Sequence, residues 1–564
     1  MRVAVIGASI FVALSLAGCG RGTNPPDDGA ARSAAVPTAR DGQATSGPDQ
    51  AAPAYGEPHR PQVHFSPPAH WMNDPNGLVY FDGEYHLFYQ YYPDATVWGP
   101  MHWGHAVSRD LVHWQHLPIA LAPDEKGYII SGSAVIDWHN TSGFSDGTTP
   151  PMVAMFTYHD AERGKTGSND HESQGIAYSN DRGRTWTKFA GNPALPNPGD
   201  RKDFRDPKVF WHAPSRRWVA AVSVTDHVRL YASPDLKSWQ FLSDFGAGIG
   251  AHGGVWECPD LFPMRVEGSD EERWVLILNL NPGGPQGGSG TQYFVGDFDG
   301  TRFALDAAFA ETLESQPAVW LDWGRDNYAG VTWSDVPGDD GRRLFLGWMG
   351  NWDYAQQVPT TPWRSAMTLP RALSLHRDPA GLRLHAGPVG ELEALRVEPI
   401  RFDRRPVHDP LLIAEDAAGL LPREVVLEVS LQGEGDVGIE LDNDLGQSYR
   451  IGFDRTSATF FSDRQRAGSH AFSPAFADRV HRAPRASNDP VLRMRLLFDT
   501  ASVELFADDG SVAMTETFFP DRPFRRMRLF TQGDPVELLR GESWRWRSIW
   551  SGVGSTAEPA HPPE

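Results

Sequence analysis

Trp71-Met72-Asn73-Asp74-Pro75-Asn76-Gly77 leads into Leu78-Val79-Tyr80-Phe81, then Asp82-Gly83, then Glu84-Tyr85-His86-Leu87-Phe88-Tyr89-Gln90-Tyr91-Tyr92. Two aromatic and β-branched runs around Asp-Gly spell a hairpin, because Asp-Gly accepts the positive φ angles of a two-residue turn. Pro75 pushes Asp74 out of the α region, and Asn76-Gly77 carries turn chemistry, so a rigid carboxylate is predicted at the mouth of a strand. Taken alone, the five residues from Asn73 to Gly77 fit a plain surface turn equally well.

Two later stretches repeat the arrangement. Arg205-Asp206-Pro207 precedes Lys208-Val209-Phe210-Trp211 and the returning run Trp218 to Val224. Trp256-Glu257-Cys258-Pro259-Asp260 precedes Leu261-Phe262 and the run Trp274 to Leu280. Each time a carboxylate lies one or two residues before a proline and directly before a hairpin, so three acids in equivalent places of a repeated unit can converge on one axis. A second repeat, Ser108-Arg109-Asp110 before Trp114, Ser179-Asn180-Asp181 before Trp186 and Ser233-Pro234-Asp235 before Trp239, marks recurring strand turns. Roughly 310 residues at roughly 60 per unit give five blades of a β-propeller.

The fold class expected is therefore all-β, with a five-bladed β-propeller over 63–380, a joining segment over 381–399 and a β-sandwich over 400–553. The last is drawn from two-fold alternation at Val425, Leu427, Val429 and Leu431, at Tyr449, Ile451 and Phe453, and at Leu492, Met494, Leu496 and Phe498. Residues 20–62, almost free of large apolar side chains, are expected to be a disordered tether, and 554–564 a polar tail.

The 564 residues carry a formal charge of −21, which argues against nucleic acid as a partner. Residues 1–19 have an export pattern: Arg2, the apolar stretch Val3 to Leu14, then Leu16-Ala17-Gly18-Cys19. That ending resembles the lipobox of bacterial lipoproteins, which implies cleavage before Cys19, a lipid on its thiol and a place on the cell envelope; the alternative is an ordinary secreted protein. Contact with a membrane is expected only through that lipid. The other cysteine, Cys258, is expected to be a small buried apolar residue. His102, His105, His113 and His116 are too scattered for a zinc site, so no metal and no cofactor is expected.

A glycosidic bond breaks through a cationic sugar, and the task divides between a carboxylate at the anomeric carbon and an acid that protonates the departing oxygen. Asp74, beside amide donors, is expected to stay ionised as the nucleophile. Glu257, flanked by Trp256, Cys258 and Pro259, is expected to have a raised pKa as the general acid. Asp206 is expected to be held ionised by Arg205. The 20 tryptophans offer flat faces for sugar rings, although most tryptophans in any protein are core.

The three acid-bearing motifs together resemble glycoside hydrolase family 32, the invertase, inulinase and levanase family, over about residues 60–553. The resemblance implies a five-bladed propeller with a trailing sandwich and retaining hydrolysis of β-fructofuranosides in fructan or sucrose. It makes Asp74 the nucleophile, Glu257 the acid/base and Asp206 the stabiliser that holds fructose hydroxyls. By the same matching, Asn73, Gln90, Ser131 and Arg205 contact the sugar, Trp98 forms an aromatic wall, and Asp322 and Trp348 belong to the pocket; Ile130 departs from the family's usual Phe. The segments 347–364 and 292–300 look more like exo-acting fructanases than dedicated invertases. Invertase or fructosyltransferase action is the near alternative, and a non-catalytic fructan-binding lipoprotein the distant one. For double displacement, the oxygens of Asp74 and Glu257 need to lie roughly 5–6 Å apart.

Overall fold

The computed structural model describes residues 55–550 apart from 339 and 380; the leader with Cys19, the tether as far as 54 and the tail lie outside the described residues. Five antiparallel sheets follow one another along 70–121, 128–188, 204–245, 255–305 and 328–388, each built mainly from consecutive strands. The first strands, His70–Phe81, Tyr128–Ile136, Phe204–His212, Val255–Arg265 and Tyr328–Thr332, each touch the next, and the fifth touches the first. That closes a five-bladed propeller.

Two contacts seal the ring: the short strand Trp363–Arg364 pairs parallel with the start of His70–Phe81, and the Ser334 backbone bonds to Leu78 and Tyr80. The Ser-x-Asp repeats are the turns between the third and fourth strands of the first three blades. In each, the serine hydroxyl bonds the aspartate two residues on, at 3.0, 2.7 and 3.1 Å, and the carboxylate then accepts backbone N–H groups beyond it.

Three expectations need correction. The Asn73–Gly77 stretch is no turn: His70–Phe81 is one strand with register shifts at Met72/Pro75 and Asn76/Val79, and Gly77 takes φ +52° where a side chain would strike Phe88 and Trp103. The ordered body begins before residue 62, because Tyr55 is buried and stacks on Trp550 while the buried Arg60 bonds Glu57, Ser66 and the Pro67 carbonyl. Residues 381–388 are the last strand of the fifth blade, and only the 3-10 turn Gly390–Leu395 joins the two modules before the strand Arg396–Phe402.

The C-terminal module is a β-sandwich of a seven-stranded and a six-stranded sheet. Val425, Leu427 and Val429, with Leu496, Met494 and Leu492 paired beside them in the same sheet, share one apolar core with Ile451 and Phe453 of the other sheet, as the two-fold alternation predicts. Leu497, Phe506, Trp546 and Trp550 instead join a propeller cluster with Leu87, Trp114 and Trp333, so sandwich and propeller share buried surface.

Candidate functional site

All five innermost strands are bulged. The register slips at Met72/Pro75, Ile130/Gly132, opposite Arg205 to Lys208, at Glu257/Asp260 and at Tyr328/Val331. A bulge adds a residue, bends the strand and re-aims a side chain. The residues in or beside these bulges are Asn73 and Asp74, Ser131, Asp206, Glu257 and Cys258, and Tyr328 and Ala329. Asp206, Cys258 and Ala329 take φ of 61°, 46° and 52°, a region that disfavours side chains.

The displaced backbone groups find partners. Asp206 N–H donates to Thr157 Oγ1 at 2.9 Å, and Asn279 bonds both the Cys258 carbonyl and the Gly330 N–H, at 3.1 and 3.2 Å.

The three acids come together around the Cys258 bulge. Its N–H donates to Asp206 Oδ2 at 3.1 Å and its sulfur lies 3.7 Å from Asp74 Oδ2. Asp74 accepts from Ser131 Oγ at 2.6 Å and Asn73 Nδ2 at 2.9 Å, and Gln90 Nε2 donates to Ser131 at 3.2 Å. Glu257 accepts from Arg205 Nε at 3.1 Å and from the Tyr328 hydroxyl. Burial and the nearby acids push the Cys258 thiol well above its usual range, which suits a packing role and not a nucleophile.

The electrostatics differ from what the neighbouring residues in sequence imply. Burial first, then the charge of Glu257, pushes Asp74 up to about 6 against the pull of Ser131 and Asn73. Asp206 is not held down by Arg205: burial and the Glu257 charge push it well above the carboxylate range, and Arg205 Nε stands 4.0 Å away while bonding Glu257. Nor are the surroundings of Glu257 apolar, since a guanidinium and a phenol grip its two oxygens.

Arg205 is the hub. Its Nη1 donates to both oxygens of Glu172 at 3.2 Å and to Asp203 at 2.9 Å. Burial raises Glu172, but Arg205, His159 and His171 outweigh it and bring the group to about 2. The ligand atoms of His159, His171 and Glu172 lie within 4.8 Å of one another. Glu172 there serves a guanidinium and an imidazole, the arrangement of an ion-pair cluster and a poor seat for a metal.

Sequence reasoning missed Glu172, His159 and Tyr328, because their signal is spatial: they lie 33, 46 and 123 positions from Arg205, on different strands, and it also missed Asp203, 2 positions away.

Of the expected pocket residues, Asn73, Gln90, Ser131 and Arg205 lie in this network. Trp98 is 36% exposed and meets Tyr128 and His159, which reaches Arg205 through Glu172. Two do not line the pocket. Asp322 is buried where propeller meets sandwich, bonded to Arg371 at 2.8 Å and to the Thr515 hydroxyl at 2.6 Å. Trp348 is fully buried behind Trp71, Tyr328 and Trp352, so it packs the wall from behind.

The Glycosyl hydrolases family 32 N-terminal domain matches residues 64–388, and the Glycosyl hydrolases family 32 C terminal matches 391–545. A levanase of Bacillus subtilis is 46% identical over 88% of this chain and 72% of its own length. The crystal structure of exo-inulinase from Aspergillus awamori superposes with a TM-score of 0.80 at 36% identity, covering 88% of this chain and 100% of that one. A fructofuranosidase from Schwanniomyces occidentalis complexed with fructose gives a TM-score of 0.78 at 32% identity, covering 89% and 100%.

Proposed function

The chain belongs to glycosyl hydrolase family 32, and from that premise we propose that it is an exo-acting, retaining β-fructofuranosidase that releases terminal fructose from levan or inulin and from sucrose. The observation that carries the proposal is the convergence of Asp74, Asp206 and Glu257 on one bulge of the propeller axis, each on a different blade.

In the first step an Asp74 oxygen bonds the anomeric carbon, the glycosidic C–O bond breaks, and the proton of Glu257 passes to the departing oxygen. In the second, Glu257 takes a proton from water, the water oxygen bonds the same carbon, and the bond to Asp74 breaks. Arg205 and Tyr328 orient Glu257 for both transfers. Asp206, with its raised proton affinity, holds fructose hydroxyls beside Asn73 and Gln90, and Trp98 flanks the mouth.

Export is supported by relatives named "extracellular", among them an exo-inulinase of Aspergillus awamori. The finer proposal, a lipid on Cys19, rests on Leu16-Ala17-Gly18-Cys19 and predicts acyl labelling that Cys19→Ser removes.

A product time course on sucrose, inulin and levan tests the function. Fructose is expected as the first and dominant product from each polymer. Early oligosaccharides without fructose would overturn exo action, and fructose-containing oligomers built up from concentrated sucrose would mark a transferase.

A further inference from the structure

The innermost strands run from the catalytic bulges to a second concavity at the other end of the propeller axis. There a cavity of about 550 Å³ is lined by Trp138, His139, Phe210, Trp211, Trp274 and Arg343, with Lys208 and Asp260 beneath. At about 3.3 Å per residue, Trp211 lies roughly 16 Å along its strand from Asp206. Between the two ends, a void walled by Gly77, Ser131, Asp206, Cys258 and Val331 holds about 10 Å³, far too small for a sugar. The cavity is thus separate from the catalytic pocket.

Its walls are built for a neutral, ring-shaped, hydroxyl-rich ligand. Of the 20 tryptophans only two are exposed, Trp98 at the catalytic mouth and Trp138, 55% exposed, here. Trp138 is fixed: its indole N–H donates to Asp335 Oδ1 at 2.8 Å and its ring meets Phe81 edge-on. Trp274, on the same cavity, is braced by Phe210 and Phe298. The lysine beneath is already paired, because Lys208 Nζ donates to the Thr332 carbonyl at 2.6 Å and pairs with Asp260 at 3.1 Å. Asp260 itself is fully buried beneath the floor, so the groups that a ligand can reach are those of the walls. A volume of this size, aromatic walls and a few fixed polar groups are what small-ligand sites share, and rigid indoles suit sugar rings.

We propose that this cavity is a second carbohydrate site that takes internal fructosyl units of the polymer and keeps the enzyme on its substrate. The proposal rests on the fructanase function above. It is tested by gel retardation of the inactive Asp74→Asn protein in levan and inulin, with and without Trp138→Ala, beside the active enzyme with and without Trp138→Ala on sucrose. The expected result is polymer affinity weakened roughly threefold to tenfold with sucrose kcat/KM unchanged. Unchanged retardation overturns the proposal, as does equal retardation by dextran. Should Trp138→Ala fail to turn over sucrose, Trp138→Leu, which fills the space without a flat aromatic face, decides by the same readout. Polymer binding that depends on Trp138 in an enzyme that frees no fructose would instead overturn the proposed function.

Discussion

Two buried charge clusters use the same residue types to opposite ends. At the catalytic bulges one guanidinium, Arg205, faces Glu172, Asp203, Glu257 and, farther off, Asp206, so negative charge is in surplus. Where propeller meets sandwich, Arg371 bonds Asp322 and Glu504, and His64 bridges Glu504 and Asp499 at 3.0 and 2.7 Å. Burial pushes the carboxyls of Glu172, Asp206, Asp322, Glu504 and Asp499 upward. At the interface the partners win, and Asp322, Glu504 and Asp499 end below their ordinary values; at the bulges Arg205 and two histidines hold Glu172 down, but burial and like charge win at Asp74 and Asp206, which end above. A nearly balanced cluster, with two cations to three carboxylates, fastens two modules, whereas a larger surplus keeps protons exchangeable near neutral pH.

Removing one acid from the surplus gives the largest effect. Asp74→Asn is expected to lower kcat on sucrose by about 10⁴-fold or more, while the melting temperature stays level or rises because like charge is relieved. A large loss of stability instead would mean that the catalytic cluster is as balanced as the interface. The reciprocal change is Arg371→Met, which strands Asp322 and Glu504 as buried anions. It is expected to cost about 3–5 kcal/mol in urea unfolding and to leave kcat per folded molecule intact.

The same contrast explains what was legible in the sequence. Strand alternation through Val425, Leu427 and Val429 records which face is buried, so the sandwich can be read directly, and the Ser-x-Asp turns mark three of the blades. The acids were legible because a proline one or two residues on leaves a mark on each of the three carboxylate motifs. Bulges themselves left none: Asn73–Gly77 has turn composition, and only its pairing with Tyr85–Tyr92 keeps it in a strand. Pairing across blades was equally invisible. Arg205 stands beside Asp206 in the chain yet bonds Glu257, and Asp322, in a Trp- and Gly-rich motif that suits a pocket, answers to Arg371 and Thr515, 49 and 193 residues away.

The clusters also respond at opposite ends of the pH scale. Burial lowers His64, but Asp499 and Glu504 outweigh it and lift it to about 9, against about 6.5 in the unfolded chain. A pKa raised by folding gives stability that is complete below about 6.5 and lost as pH rises through about 9. The facing groups, Asp499, Glu504 and Arg371 behind it, keep their charge across that window, so the unfolding free energy is expected to fall by roughly 2–3 kcal/mol between those limits. His64→Gln should flatten the profile, and a slope that persists in it would place the titration elsewhere.

The catalytic cluster fails on the acid side, since attack needs Asp74 ionised and its pKa is about 6. Ser131 supplies one of the two side-chain hydrogen bonds that favour the charged form, the other being that of Asn73. Ser131→Ala should therefore raise the Asp74 pKa and move the acid limb of kcat/KM upward, by less than about one pH unit. A limb that stays put, or moves down, would assign it to another member of the surplus, because only a carboxylate that accepts from Ser131 gains proton affinity when that hydroxyl is removed.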